Sequence, residues 1–64
     1  MKYQVFCRFW GYKDVNTFTA KNAIDRDRIL KELEENYSIT MIGYNKLLKD
    51  GSTIPVKTVY IGLK

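Results

Sequence analysis

The segment from Lys2 to Tyr12 places large apolar side chains on both faces of one predicted strand. Side chains of a strand alternate between its two faces. One face therefore carries Tyr3, Val5, Cys7 and Phe9, and the other carries Lys2, Gln4, Phe6, Arg8, Trp10 and Tyr12. The first set is typical of a hydrophobic core. The second combines three aromatic rings with two cations and no carboxylate, on a face that one short helix cannot also cover, so we expect a second molecule to cover it.

A chain of 64 residues is close to the size at which one hydrophobic core is barely sufficient for stability. We expect residues 1–64 to form a single domain that gains stability by other means. The lone Cys7 excludes an internal disulfide, and without histidine the chain lacks the usual ligands of a structural zinc site. We therefore expect no metal and no cofactor, and association with a second copy becomes the favoured source of stability.

The charge of the chain is mildly basic, with 11 Lys and Arg against 7 Asp and Glu, a net charge of +4 and a pI near 9.3. This balance favours anionic partners without being that of a polycationic tail. The N-terminal residues lack the apolar run of a signal peptide, and no apolar stretch approaches the roughly 18 residues of a transmembrane helix. We expect a cytoplasmic protein with a reduced Cys7 and no membrane partner.

The first strand is predicted over Lys2–Trp10, followed by a turn over residues 11–14 and a shorter strand over Val15–Thr19. A helix follows, with two possible starts. Asn22 is one candidate N-cap, and Asp25 is the other, with Ile24 and Ile29 as a hydrophobic staple. We favour Asp25. The apolar stripe that this helix turns to the core consists of Ile29, Leu30, Leu33 and Tyr37.

Beyond the helix the apolar period changes to two, and residues 38–48 and 53–63 flank Lys49-Asp50-Gly51-Ser52, which is typical of a hairpin. A two-residue loop would pair Met41 with Tyr60. A three-residue loop with a left-handed Gly51 would instead pair Met41 with Val59. We favour the longer loop because it gathers apolar residues under the helix. That set is Ile39, Met41, Val59, Ile61 and Leu63, with Ile39 paired to Ile61.

The predicted order is therefore ββαββ, an α+β domain with one helix packed on one face of a four-stranded, mainly antiparallel sheet. Pro55 cannot donate a ladder hydrogen bond, so we expect its strand to lie at an edge or to contain a bulge. The helix-free face of this sheet is the predicted binding surface. Its candidate partner-binding residues are Phe6, Arg8, Trp10, Ile42, Tyr44, Lys46, Val56 and Tyr60.

Three interpretations of this face compete. Aliphatic residues beside Trp10 favour a protein interface, formed with a second copy or with a host protein. Aromatic rings interleaved with cations on an open sheet are also typical of proteins that bind single-stranded DNA or RNA. In the third, the small sheet curls so that loops and long side chains cover the face. The chain's size and its richness in Lys, Asn, Ile and Tyr resemble small accessory proteins of phages and mobile elements, which implies a protein that inhibits or redirects a host component.

Catalysis is not expected from this sequence. The chain has no histidine to act as a general base, and Cys7 falls on the predicted core face, where a thiol is normally inert. The carboxylates of the predicted helix are expected to face solvent, and the four glycines stand too far apart to form a phosphate-binding loop. We therefore expect no catalytic residue and no small-molecule substrate, and favour binding through protein association.

Overall fold

The computed structural model describes residues 1–61 and has the predicted ββαββ order. Its elements are β1 (Lys2–Phe9), β2 (Asn16–Ala20), α1 (Ala23–Asn36), β3 (Ile39–Leu47) and β4 (Thr53–Tyr60). The strands form one antiparallel sheet in the order β2-β1-β3-β4, with α1 packed on one face. The predicted α+β architecture is confirmed.

The core lies between α1 and the central strand β1. Val5 and Cys7 are fully buried on β1, and Leu33 is the helix residue buried against them. Burial raises the pKa of the Cys7 thiol, which keeps it protonated and unreactive. The remaining buried members of this cluster are Ala20, Ile39 and Ile42, with Tyr3, Phe9, Ile29, Leu30 and Tyr44 packed around them. The predicted core face of β1 is confirmed, whereas Ala20 and Ile42 were not anticipated.

The helix begins at the N-cap that we did not favour. The Asn22 side chain accepts a hydrogen bond from the Asp25 N–H at 2.8 Å, and the Asp25 carboxylate accepts one from the Lys21 N–H at 3.1 Å. These two bonds satisfy backbone donors that a start at Asp25 would leave unpaired. The expected staple is absent, since Ile24 is 83% exposed.

A one-residue bulge at Thr40 reverses the faces of β3. Phe9 stands opposite Ile39, but Arg8 stands opposite Met41, so Thr40 is the extra residue. Its hydroxyl accepts a hydrogen bond from Arg8 Nε at 3.3 Å and donates one to the Arg8 carbonyl at 3.2 Å. Ile42 consequently faces the helix, and Met41 is buried on the other side of the sheet, the reverse of the prediction.

The hairpin loop agrees with the prediction only close to its turn. Gly51 is left-handed with φ of 90°, and the Leu48 N–H donates to the Ser52 carbonyl at 2.9 Å. A second bulge then shifts the register between Tyr44 and Asn45, leaving Val56 unpaired beside Pro55. The predicted location of Pro55, at a sheet edge or a bulge, is confirmed.

Beyond this second bulge the predicted pairs are wrong. Met41 pairs with Tyr60 and Ile42 pairs with Val59, one residue away from the expected register. Val59 and Ile61 are each 39% exposed instead of buried, because α1 packs against β1, β2 and β3 and every residue of β4 is exposed. Leu63, the last predicted core residue, lies outside the described residues.

Candidate protein interface

The helix-free face of the sheet is built mainly by β1 and β3. Arg8 stands opposite Met41, and Met41 in turn stands opposite Tyr60. Directly paired residues of neighbouring strands share a face, so Phe6, Arg8 and Tyr60 lie on the helix-free face as predicted. The other residues that strand pairing places there are Lys2, Gln4, Gly43, Asn45, Leu47, Thr17, Thr19, Thr53, Pro55 and Thr58.

Phe6 is the aromatic centre of this face and lies over Gly43 on β3. A side chain at position 43 would meet the Phe6 ring at 2.7 Å and would collide with the Lys57 carbonyl. Because Gly43 has no side chain, the ring settles onto the sheet instead of standing away from it. Phe6 is therefore half-buried, and it offers an apolar surface close to the backbone.

Three of the candidate binding residues lie on the opposite face, and their predicted position is wrong. Ile42 belongs to the core, and strand pairing places Tyr44 and Lys46 on the helix side with Val5 and Tyr3. The bulge at residue 40 is the reason, since one unpaired residue reverses the direction of every later side chain in β3.

Tyr44 takes part in a cation–π cluster on the helix side. Its ring meets Tyr3 edge to face with centroids 5.9 Å apart, and the Arg26 guanidinium lies 4.5 Å from the Tyr44 centroid and 4.7 Å from that of Tyr3. A hydrogen bond to Asp27 at 2.9 Å holds Arg26 and raises its pKa. The Tyr44 ring thus makes its contacts within the protein and does not belong to the helix-free binding face.

Trp10 lies beyond the end of β1, in a turn that carries its indole out of the sheet. The Tyr12 N–H donates to the Phe9 carbonyl at 3.1 Å, and Gly11 has φ of 86°. A positive φ at the third turn position alone is the geometry of a type II turn. A 2.9 Å bond from the Trp10 N–H to the Ser38 carbonyl fixes this turn to the segment after α1. The Trp10 side chain is 61% exposed.

This turn gathers aromatic side chains that we did not predict to meet. Phe9, Trp10, Tyr12, Tyr37 and Ser38 line a surface depression of about 360 Å³, which we call the aromatic depression. Tyr37 was predicted to be buried, but its backbone is extended at the end of α1, and its side chain is 57% exposed. The sequence signal for this cluster was Gly11, which marks the point where the chain leaves the strand.

The edge strand β4 is the most accessible apolar element of the described chain. Ile54, Val56, Val59 and Tyr60 are all more than a third exposed, and Tyr60 reaches 72%. The bulge makes the candidate residue Val56 the unpaired position of this strand. In residues 1–61 no other strand pairs with the outer edge of β4.

The backbone of β4 offers free hydrogen-bonding groups in its second half. The Ile61 N–H donates to the Thr40 carbonyl of β3 at 2.9 Å. In an antiparallel ladder every second residue directs its backbone N–H and C=O toward the neighbouring strand. Val59 is then paired to β3, while Thr58 and Tyr60 direct their N–H and C=O groups outward. This outer edge can accept another strand.

Charges are unevenly distributed over the molecule. The helix carries five of the seven carboxylates, and the described strands carry four cations and no carboxylate. Lys2, Lys21 and Lys49 line a depression of about 790 Å³ near the hairpin loop, together with Leu47 and other residues. The exposed aromatic rings of the aromatic depression lie at the other end of the sheet, so rings and lysines are separated.

Comparison of this chain with protein-family models, curated proteins and solved structures finds no match. Within residues 1–61, the single helix is too short and too polar to cross a membrane.

Proposed function

We propose that this chain is a non-enzymatic binding protein that acts by protein association, with the outer edge of β4, which includes Tyr60 of the helix-free face, as its interface and a second copy as its occupant. The observation that carries this proposal is the accessibility of β4. All eight of its residues are exposed, most of its large side chains are apolar, and its outer backbone groups lack a partner among the described residues.

Strand pairing between two copies has a specific register. An antiparallel pair arranged around a two-fold axis at Val59 sets Thr58 of each copy opposite Tyr60 of the other. Both residues direct their backbone groups outward, so this register forms roughly four hydrogen bonds between copies. The result is a continuous sheet of twice four strands, with the helix-free faces of both copies on the same side.

The size of the chain favours a second copy as the occupant, and the charge of β4 does not oppose it. Lys57 is the only charged residue of β4, and the proposed register sets it opposite Ile61 and not opposite the other Lys57. Tyr60 and Val59 lose solvent exposure in the pair. A 64-residue domain with a small core gains stability from such burial, and two-fold dimers are the commonest protein assemblies.

The test is a substitution that acts on the outer edge alone. Thr58→Pro removes an N–H that points away from β3, so the monomer keeps its ladder while strand addition loses a donor. Thr58→Val keeps the N–H and is the matched control. By sedimentation velocity we expect dimers for the parent chain and for Thr58→Val, and monomers for Thr58→Pro with unchanged circular dichroism. A parent chain that is monomeric at all accessible concentrations contradicts the proposal.

A second candidate function is binding of single-stranded DNA or RNA, favoured by the strands' exclusively positive charges and by the lysine-lined depression. The separation of this depression from the exposed aromatic rings makes it the weaker candidate, since base stacking and phosphate contacts normally occur along one groove. Titration of Trp10 fluorescence with a single-stranded oligonucleotide tests it. Binding that weakens steeply with salt favours this function, and an unchanged signal excludes the aromatic depression as a stacking site.

A further inference from the structure

We infer that the aromatic depression binds the guanidinium group of an arginine side chain on a protein partner. Four of its five lining residues are aromatic, and none is charged. The faces of aromatic rings carry negative potential and attract cations, and arginine is the cation most often found on them. None of its lining residues belongs to β4, so the inference goes beyond the proposed dimer and does not depend on it.

The walls of the depression are held by the fold. Phe9 belongs to the end of β1 and packs against Tyr37 with ring centroids 5.3 Å apart and planes inclined at 57°. The Gly11 turn and the bond between the Trp10 N–H and the Ser38 carbonyl hold the backbone of Trp10 and Tyr12, which also line the depression. A binding site whose backbone is already ordered loses less conformational entropy on binding, which favours recognition of a small planar group.

The same molecule already contains an arginine packed against aromatic rings, as we propose for the arginine of the partner. Arg26 lies within 5 Å of the ring centroids of Tyr3 and Tyr44, while the Asp27 carboxylate accepts a hydrogen bond from its Nε. A guanidinium between aromatic rings and near a carboxylate is therefore a stable element of this chain. In the aromatic depression the side chains of Trp10, Tyr12 and Tyr37 are more exposed than those of Tyr3 and Tyr44.

The charge beside Tyr37, which is one wall of the depression, also favours a cation. Tyr37 follows directly on the last turn of α1, which contains Glu34 and Glu35 and no basic residue. Carboxylates at a helix C-terminus are unfavourable because that end carries partial negative charge. A cation bound beside Tyr37 offsets this charge, whereas phosphate or a carboxylate would add to it.

The experiment is a titration of the parent chain with the tripeptide acetyl-Gly-Arg-Gly-amide, in which two-dimensional NMR spectra record the chemical shifts. The matched probe replaces arginine with citrulline, which has the same shape and no charge. We expect saturable shifts at Trp10, Tyr12 and Tyr37, with the citrulline peptide binding at least fivefold more weakly. Equal responses to both peptides, or no saturable shift at these residues, overturn the inference.

Two substitutions locate the site. Tyr12→Leu removes one wall of the depression, and we expect it to weaken binding of the arginine peptide at least threefold. Phe18→Leu is its control, since Phe18 is an exposed aromatic residue of β2 that neither lines the depression nor belongs to β4. Equal effects of the two substitutions contradict the inference. Repeating the titration on monomeric Thr58→Pro separates it from the dimer, because arginine binding is expected to persist there.

Discussion

The Phe6 ring lies over Gly43 of the neighbouring strand and occupies the space that a side chain at position 43 would take. An aromatic residue opposite a glycine covers a backbone that would otherwise be open to water. This contact explains why Gly43 is buried on a face that the helix does not reach. It also gives the helix-free face a flat apolar centre beside Arg8.

Gly43→Ala is expected to destabilise the fold by about 2 kcal/mol, which is in the range for overpacking. The new methyl group would meet Phe6 at 2.7 Å and collide with the Lys57 carbonyl, which belongs to the β3–β4 ladder. Chemical denaturation measures the change. Thr17→Ala, an exposed substitution on the same face, is the control and should change stability by less than about 0.5 kcal/mol. A neutral Gly43→Ala variant contradicts the close approach of Phe6.

Asn22→Ala is expected to cost about 1 kcal/mol, because the Asp25 N–H loses its side-chain acceptor. Ile24→Ala should be nearly neutral, since that side chain is exposed and forms no staple. Thermal unfolding of the two variants, monitored by the circular dichroism signal of the helix, compares their stabilities. A costly Ile24→Ala together with a neutral Asn22→Ala would instead indicate a helix that starts at Asp25.

The stabilising contribution of Asp25 is expected to disappear in acid. Hydrogen bonds from Arg28 and from the Lys21 N–H lower the pKa of Asp25 below its ordinary value of 3.8. A lowered pKa in the folded state stabilises the fold above the ordinary value, and this contribution is lost as the pH falls through the folded pKa. The melting temperatures of the parent chain and Asp25→Asn should differ at neutral pH and converge as the pH falls through the folded pKa of Asp25. A difference that persists in acid rules out this linkage.

Gly11→Ala is expected to cost roughly 1 kcal/mol, because a positive φ is unfavourable for any residue with a side chain. Gly51→Ala strains the hairpin loop in the same way, with φ of 90° against 86°. Only the Gly11 variant should alter the fluorescence of Trp10 and weaken binding of the arginine peptide, since only that turn positions residues of the aromatic depression. Identical fluorescence of the two variants would show that the turn does not hold Trp10.

The order of strands and helix could be predicted because short sequence patterns determine each of these elements. β1 alternates without interruption, so Val5 and Cys7 identified the buried face. The change of period after the helix and the Asp50-Gly51 pair identified the hairpin. The left-handed Gly51 follows from turn chemistry alone, and a turn is determined by the few residues that it contains.

The binding face could not be predicted fully because its composition depends on two unpaired residues. Residues 39–42 include apolar side chains of both parities, so a strand with or without a bulge at Thr40 buries similar surface. The Arg8–Thr40 hydrogen bonds that accompany the bulge join residues 32 positions apart, and they leave no local pattern. The same bulge brought Tyr44 beneath Arg26 and away from the predicted site.

The proposed β4 interface is tested most directly by amide hydrogen exchange at Thr58 and Tyr60, measured by NMR over a dilution series. The N–H groups of both residues point away from β3, so only pairing with a second copy protects them, whereas the Val59 N–H is protected by Ile42 in either state. We expect protection of Thr58 and Tyr60 to rise with protein concentration while that of Val59 stays high. Rapid exchange of Thr58 and Tyr60 at every concentration would contradict a dimer formed through β4.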